Sequence, residues 1–187
     1  MSGSDQQIRM GASFHILTGA PGTGKTALLE SLTSGVRWVP EPAREILAQQ
    51  RSIDGDGTWD RNPSRFVELL LQQSIENYET AQRLEGPVIF DRGVPDCITY
   101  AEWGGIDPTP SIEAAATYRY QPEVLVTRPW EEIYRTDDER KMPFAAVVEF
   151  LRLLESAYER TGYSLVEVPR GSADDRAASV QASIAGT

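Results

Sequence analysis

Apolar positions along this chain follow two alternating rhythms. Short apolar stretches recur five times, at residues 12–18, 36–40, 87–90, 124–126 and 165–168. Stretches of this length, bounded by turn residues and lacking polar alternation, predict strands buried on both faces, as in a parallel sheet. Between them the apolar residues recur at three- and four-residue spacing. Phe66, Leu69, Leu70, Ile75, Tyr78, Ala81 and Leu84 predict a long amphipathic helix over 63–84, and Phe144, Val147, Val148, Leu151, Leu154 and Tyr158 predict another, stopped at Gly162. Shorter helices are predicted over 25–34, from Pro42 onward, and over 95–103, 111–118 and 173–184. Gly35 and Gly86 act as stops and Pro42 suits a first turn. Residues 52–62 form a polar loop, and 131–141 a charged segment. Connections too long for hairpins make the strands parallel with right-handed crossovers, an α/β sheet of five strands with helices on both faces.

One connection is not ordinary. Between the first strand and the first helix stands Gly19-Ala20-Pro21-Gly22-Thr23-Gly24-Lys25-Thr26, followed by Ala27. The pattern G-x-x-x-x-G-K-T wraps backbone N–H groups around phosphate oxygens, with glycine where a Cβ would block the approach. Lys25 is expected on the β- and γ-phosphates and Thr26 on Mg²⁺, with the following helix directing its positive end at the anion. The fold class is therefore a P-loop NTPase fold, and ATP with Mg²⁺ is the expected ligand pair. No Asn-Lys-x-Asp guanine-reading motif occurs.

The composition narrows the partners. Among 187 residues, 28 acidic side chains outweigh 18 Lys and Arg for a net charge of −10, which argues against a nucleic-acid groove. No apolar run approaches the ~20 residues of a membrane span, and the start of the chain lacks a signal-peptide core. A cytoplasmic protein is expected, with a flexible leader over 1–11 and a single domain over 12–187. The lone Cys97 reads as a small core residue, and His15 as a packed strand residue.

In parallel sheets ligands bind beyond the carboxyl ends of the strands. The residues expected there are the glycine-rich loop, Glu41, Asp91 with Arg92, Arg128, and Arg170 with Gly171. Phosphoryl transfer needs a metal, cations for the moving charge and a carboxylate at the acceptor. Asp91 is the candidate for the Mg²⁺ shell, Arg92 for a phosphate or acceptor contact, and Glu41 for binding or activating an acceptor hydroxyl. Arg128, Arg135, Arg140 and Lys141 are candidates for a helical lid after the fourth strand, with surface pairing to the interleaved acids as the alternative. The four tryptophans read as core or rim aromatics, with Trp59 and Trp103 also placed to line an acceptor pocket.

Val39-Pro40-Glu41-Pro42-Ala43-Arg44, Phe90-Asp91-Arg92-Gly93, Pro129-Trp130-Glu131-Glu132-Ile133-Tyr134 and Val168-Pro169-Arg170-Gly171 together resemble the NadR-like P-loop ATPase/kinase family. That family takes in the ribosylnicotinamide kinase domain of NadR and the TRP translocation defect protein-like AAA domain, and the similarity runs from about Phe14 to Ile184. Two of these stretches also resemble deoxyribonucleoside kinases. There the resemblance implies Glu41 as base and Asp91 and Arg92 as its partners, although Asp91 stands where glutamate is usual and Gly93 where a serine is. By likeness to small kinases, Pro169, Arg170 and Gly171 are assigned to the adenine. The function implied is transfer of the ATP γ-phosphoryl group to a nucleoside-like or other polar small-molecule acceptor, the alternative being a regulatory ATPase acting on a protein partner. A homodimer is an open option.

Overall fold

The computed structural model describes residues 13–33, 35–131 and 142–185. Among these, the strands are β1 (Ser13–Gly19), β2 (Arg37–Val39), β3 (Pro87–Asp91), β4 (Glu123–Thr127) and β5 (Ser164–Glu167). The helices are α1 (Lys25–Glu30), α2 (Pro42–Ser52), α3 (Pro63–Ala81), α4 (Val94–Trp103), α5 (Thr109–Thr117), α6 (Phe144–Arg160) and α7 (Ala173–Ala185). The strands form one parallel sheet in the order β2-β3-β1-β4-β5. This is the predicted α/β architecture, with β1 and its loop at the centre.

Strand alternation divides the core between the two faces of the sheet. Ile16, Val88, Phe90, Val124 and Val126 pack with residues of α4, α5 and α6 on one side. Leu17, Ile89 and Leu125 pack against Leu28 of α1 and Ala177, Val180 and Ile184 of α7 on the other. Because both faces are covered, the central strands β1, β3 and β4 are buried along almost their whole length. A third cluster joins Ala43 and Ile46 of α2 to Phe66, Val67 and Leu70 of α3 and Cys97 and Ala101 of α4. Cys97 lies in that cluster fully buried, its thiol pushed up to about 12 by burial.

Several boundaries differ from expectation. The first helix ends at Glu30 rather than at residue 34, because the Ser31 N–H is shared between the carbonyls of Ala27 and Leu28 and the last turn tightens. The long helix stops at Ala81, where Leu84 turns back onto the Ala81 carbonyl at 2.9 Å. The third strand gains Asp91, paired across from Leu17. The leader over 1–11 and the lid candidates Arg135, Arg140 and Lys141 lie outside the described residues. Among those described, no helix is long and apolar enough to cross a membrane.

Candidate functional site

The glycine-rich loop is tied down before any ligand arrives. Gly19 has φ +146°, and a Cβ there would fall 2.3 Å from the Thr127 carbonyl oxygen, so β1 and β4 approach as closely as only glycine allows. The hydroxyls of Thr23 and Thr127 stand 2.7 Å apart, within reach of the carbonyls of Ala20 and Thr18 respectively, and their two protons serve these three contacts. Gly24 takes φ +76° and hands the chain to α1 with the buried Lys25 as its first residue. Burial, and then the charge of Arg92, hold the Lys25 ammonium below its usual pKa, against the pull of Asp91 and Glu41.

Glu41 occupies the N-cap position of α2, yet its side chain does not cap the helix. Its Oε1 instead accepts from Arg92 Nε at 2.6 Å and its Oε2 from Arg44 Nε at 3.2 Å. Arg44 Nη2 in turn donates to Thr26 Oγ1 at 3.0 Å, linking the Glu41 carboxylate to the hydroxyl that ends the glycine-rich loop. Burial works against ionisation of Glu41, but the charges of Arg92 and Lys25 outweigh it and bring its carboxyl down to about 2.

Arg92 is held from the other side. It has φ +73°, a conformation that a side chain rarely adopts, and its guanidinium is almost fully buried. Its Nη1 donates to Asp96 Oδ1 at 2.9 Å. Asp96 is 2% exposed and also accepts from Thr18 Oγ1 at 2.8 Å, from the Gly93 N–H at 2.9 Å and from the Tyr158 hydroxyl. Thus β1, α4 and α6 all meet at one carboxylate. Gly93 packs tightly: a Cβ there would lie 2.5 Å from Ile16 Cδ1, so the serine seen in the resembling kinases would require the Ile16 side chain to shift.

Asp91 ends β3 beside this network, 3% exposed, and its Oδ1 has no hydrogen-bond partner. A buried unpaired carboxylate oxygen is costly, and burial raises the Asp91 pKa against the pull of Lys25. An atom left over in this way, beside Lys25, suits a ligand supplied from outside. Mg²⁺ takes most of its ligands from phosphates and water and one or two from carboxylates. Thr26 and Asp91 therefore fit a nucleotide-bound magnesium even though no cluster of three metal-ligating side chains gathers among the described residues.

The loop, Lys25, Glu41, Arg44 and Arg92 open onto one cavity of about 550 Å³. Trp59 and Trp103 line it, as do Phe66, Tyr100 and Phe150. Arg128 is not brought there. Its guanidinium pairs with Glu155 of α6 and Glu167 of β5, each at 2.8 Å, because these carboxylates flank the end of β4. Arg170 stacks on Trp130 at 5.3 Å from the ring centroid, with Arg176 of α7 also over that ring at 5.6 Å, and Gly171 follows with φ +157°. A Cβ on Gly24 would come within 2.9 Å of Arg176 Nη1, so this stack abuts the phosphate loop.

Sequence reasoning missed Asp96, Tyr158, Arg44 and Arg176. Arg44 carried a usable signal, since one helical turn separates it from Glu41. Tyr158 carried none, its partner lying 62 residues away.

Residues 14–176 match a family described as AAA domain. No protein of curated function matches in sequence. Among solved structures, the NadR protein in complex with NR superposes with a TM-score of 0.70 at 16% identity, covering 96% of this chain and 53% of that one. The deoxyadenosine kinase from M. mycoides gives 0.58 at 13% identity over 92% and 98% of the two chains. The thymidylate kinase from Candida albicans gives 0.61 at 12% identity over 94% and 92%. These identities establish a shared fold, that of P-loop kinases, and this chain spans about half the length of the NadR chain.

Proposed function

Because the chain belongs to this AAA domain family, we propose that it is a small-molecule kinase that takes the γ-phosphoryl group from Mg²⁺·ATP and gives it to a hydroxyl-bearing acceptor. One observation carries this reading: Glu41, Arg92 and Lys25 share a single cavity with the glycine-rich loop, beside an unpaired buried oxygen of Asp91. A carboxylate and a cavity of this size beside the glycine-rich loop suit an acceptor in addition to a nucleotide.

In this reading the loop amides and Lys25 hold the phosphates, and Thr26 and Asp91 hold the magnesium. When bound, the metal draws charge from the phosphate oxygens. Trp130, Arg170 and Gly171 stand on the adenine side, and Arg135, Arg140 and Lys141 remain candidates for the lid. The acceptor hydroxyl donates its hydrogen bond to Glu41. With its pKa near 2, Glu41 is too weak a base to ionise the alcohol beforehand. It orients the oxygen and takes the proton as the new O–P bond forms, while the bond between the γ-phosphorus and the bridging oxygen breaks and ADP departs with the electron pair. A loose transition state asks for this order, since the nucleophile needs little negative charge in advance. Arg92 keeps the carboxylate aimed and meets the charge on the phosphoryl oxygens.

The test is ADP release from Mg²⁺·ATP across a panel of hydroxylated metabolites, with Glu41→Gln in parallel. The expected outcome is acceptor-dependent release that falls about 10²-fold or more in the variant while nucleotide binding survives. Release no faster with any acceptor than with water would overturn the reading.

A further inference from the structure

The acceptor cavity carries a charge pattern that transfer alone does not explain. In a chain of net charge −10, its lining includes Lys25, Arg44, Arg51 and Arg92 against the single carboxylate of Glu41. Three of these cations have work already: Lys25 faces the phosphate loop, Arg92 is locked between Glu41 and Asp96, and Arg44 bridges Glu41 and Thr26. The Arg51 guanidinium makes no hydrogen bond or ion pair among the described residues. The exposed Asp60, whose carboxyl is lowered chiefly by the Thr58 hydroxyl and the backbone, feels the Arg51 charge only as the smallest of its influences.

Position gives that cation meaning. Ala43, Arg44, Leu47, Ala48 and Arg51 line the cavity from one face of α2, at the spacing of adjacent helical turns. With a rise of about 1.5 Å per residue, Arg51 lies roughly 15 Å along the axis from Glu41. The cavity therefore runs the length of α2, with the reacting carboxylate at its head and a guanidinium at its tail. Between them stand flat apolar walls. Trp59, Phe66 and Tyr100 contact one another edge to face at 5.8–6.0 Å, and Phe150 continues the wall 5.3 Å from Tyr100. The loop bearing Trp59 is fixed at the Arg51 end of α2, because Gln50 Oε1 accepts the Gly57 N–H at 3.0 Å.

We propose that the acceptor is a hydroxyl-bearing metabolite with a planar ring and an anionic oxyacid group remote from the reacting hydroxyl, and that Arg51 selects it by binding that group. The ring fills the aromatic walls, the hydroxyl reaches Glu41, and the acid meets the planar fork of the guanidinium, whose geometry matches a carboxylate. A neutral acceptor of the same shape leaves Arg51 in water and gains nothing from it. This rests on the kinase reading for the direction of the acceptor, and the measurement is chosen to separate the two.

Calorimetric titration of the full chain, saturated with Mg²⁺ and a non-hydrolysable ATP analogue, compares two probes: the riboside of a pyridine carboxylate and the riboside of the corresponding carboxamide. The carboxylate is expected to bind at least about 10-fold more tightly. Arg51→Gln is expected to erase the difference and Arg51→Lys to restore part of it. Arg51 is exposed on a helix, and the thermal shift on adding the ATP analogue checks that each variant is folded. Equal or weaker binding of the carboxylate, no binding of either riboside, or a preference that survives in Arg51→Gln would each overturn the proposal. Failure of the kinase reading appears separately, as tight carboxylate binding without any phosphorylated product by mass spectrometry when ATP replaces the analogue.

Discussion

The two carboxylates at the site are tuned in opposite directions, and each leaves a different pH signature. Glu41 is pulled down to about 2 from an ordinary value near 4.5. Its ionisation therefore stabilises the folded chain fully above the ordinary value, and the contribution disappears as pH falls from about 4.5 through 2. Asp91 is raised by burial, so it takes up a proton first on acidification, while Glu41 is still charged. We predict that the acid limb of Mg²⁺·nucleotide binding belongs to Asp91. Measured as a thermal shift against pH, the limb should stand above the ordinary aspartate range, persist in Glu41→Gln and vanish in Asp91→Asn. The difference between native protein and Asp91→Asn cancels the nucleotide's own titration. At this scale Lys25, Glu41 and Asp91 were legible because each ends a strand or follows a glycine loop in a local pattern. The tuning was not, since it depends on Arg92 reaching Glu41 across 51 positions of sequence.

At the scale of elements, Asp96 is where β1, α4 and α6 are fastened together. It accepts four hydrogen bonds while almost wholly buried, and the segment leading into α6 is the one in which a lid was expected. Tyr158→Phe removes one donor and keeps the rest, so its loss of stability should be about 0.5–3 kcal/mol by urea unfolding. Asp96→Ala strands a buried Arg92 and should cost more, about 3–5 kcal/mol. If Asp96 also aims Arg92, Tyr158→Phe should lower transfer while leaving nucleotide affinity close to native. The helix periods were readable from sequence because each amphipathic face repeats over several turns. The end of α1 was not, since hydroxyl residues at 31, 33 and 34 are compatible with helix or turn until packing decides. Arg128 was read as a lid cation because its charge was visible and its partners Glu155 and Glu167, on elements far along the chain, were not.

For the molecule as a whole, a ligand held by β1, α1 and β3 touches the centre of the sheet, and its binding free energy becomes folding free energy. At a nucleotide concentration of about 100 times Kd, linkage adds roughly 2.7 kcal/mol, which for a chain of this size raises Tm by about 5–10 °C. Lys25→Ala should abolish that rise in a thermal melt with Mg²⁺·ATP; an undiminished rise would remove the loop from the nucleotide site. The parallel α/β sheet was legible from apolar runs and long connections. The strand order was not, because runs of similar length carry no label for their neighbours.

Chain topology also separates the two ends of the reaction. In the proposed reading the loop and Asp91, which hold the phosphates and the metal, are anchored where β1, β3 and β4 run side by side, whereas Arg51, Trp59 and Phe66 ride on the excursion that leaves β2 and returns at β3. Substitutions along that excursion can retool the molecule for a new metabolite without disturbing the energy source it draws upon, and a graft of residues 53–62 from a differently shaped relative is the shortest such exchange.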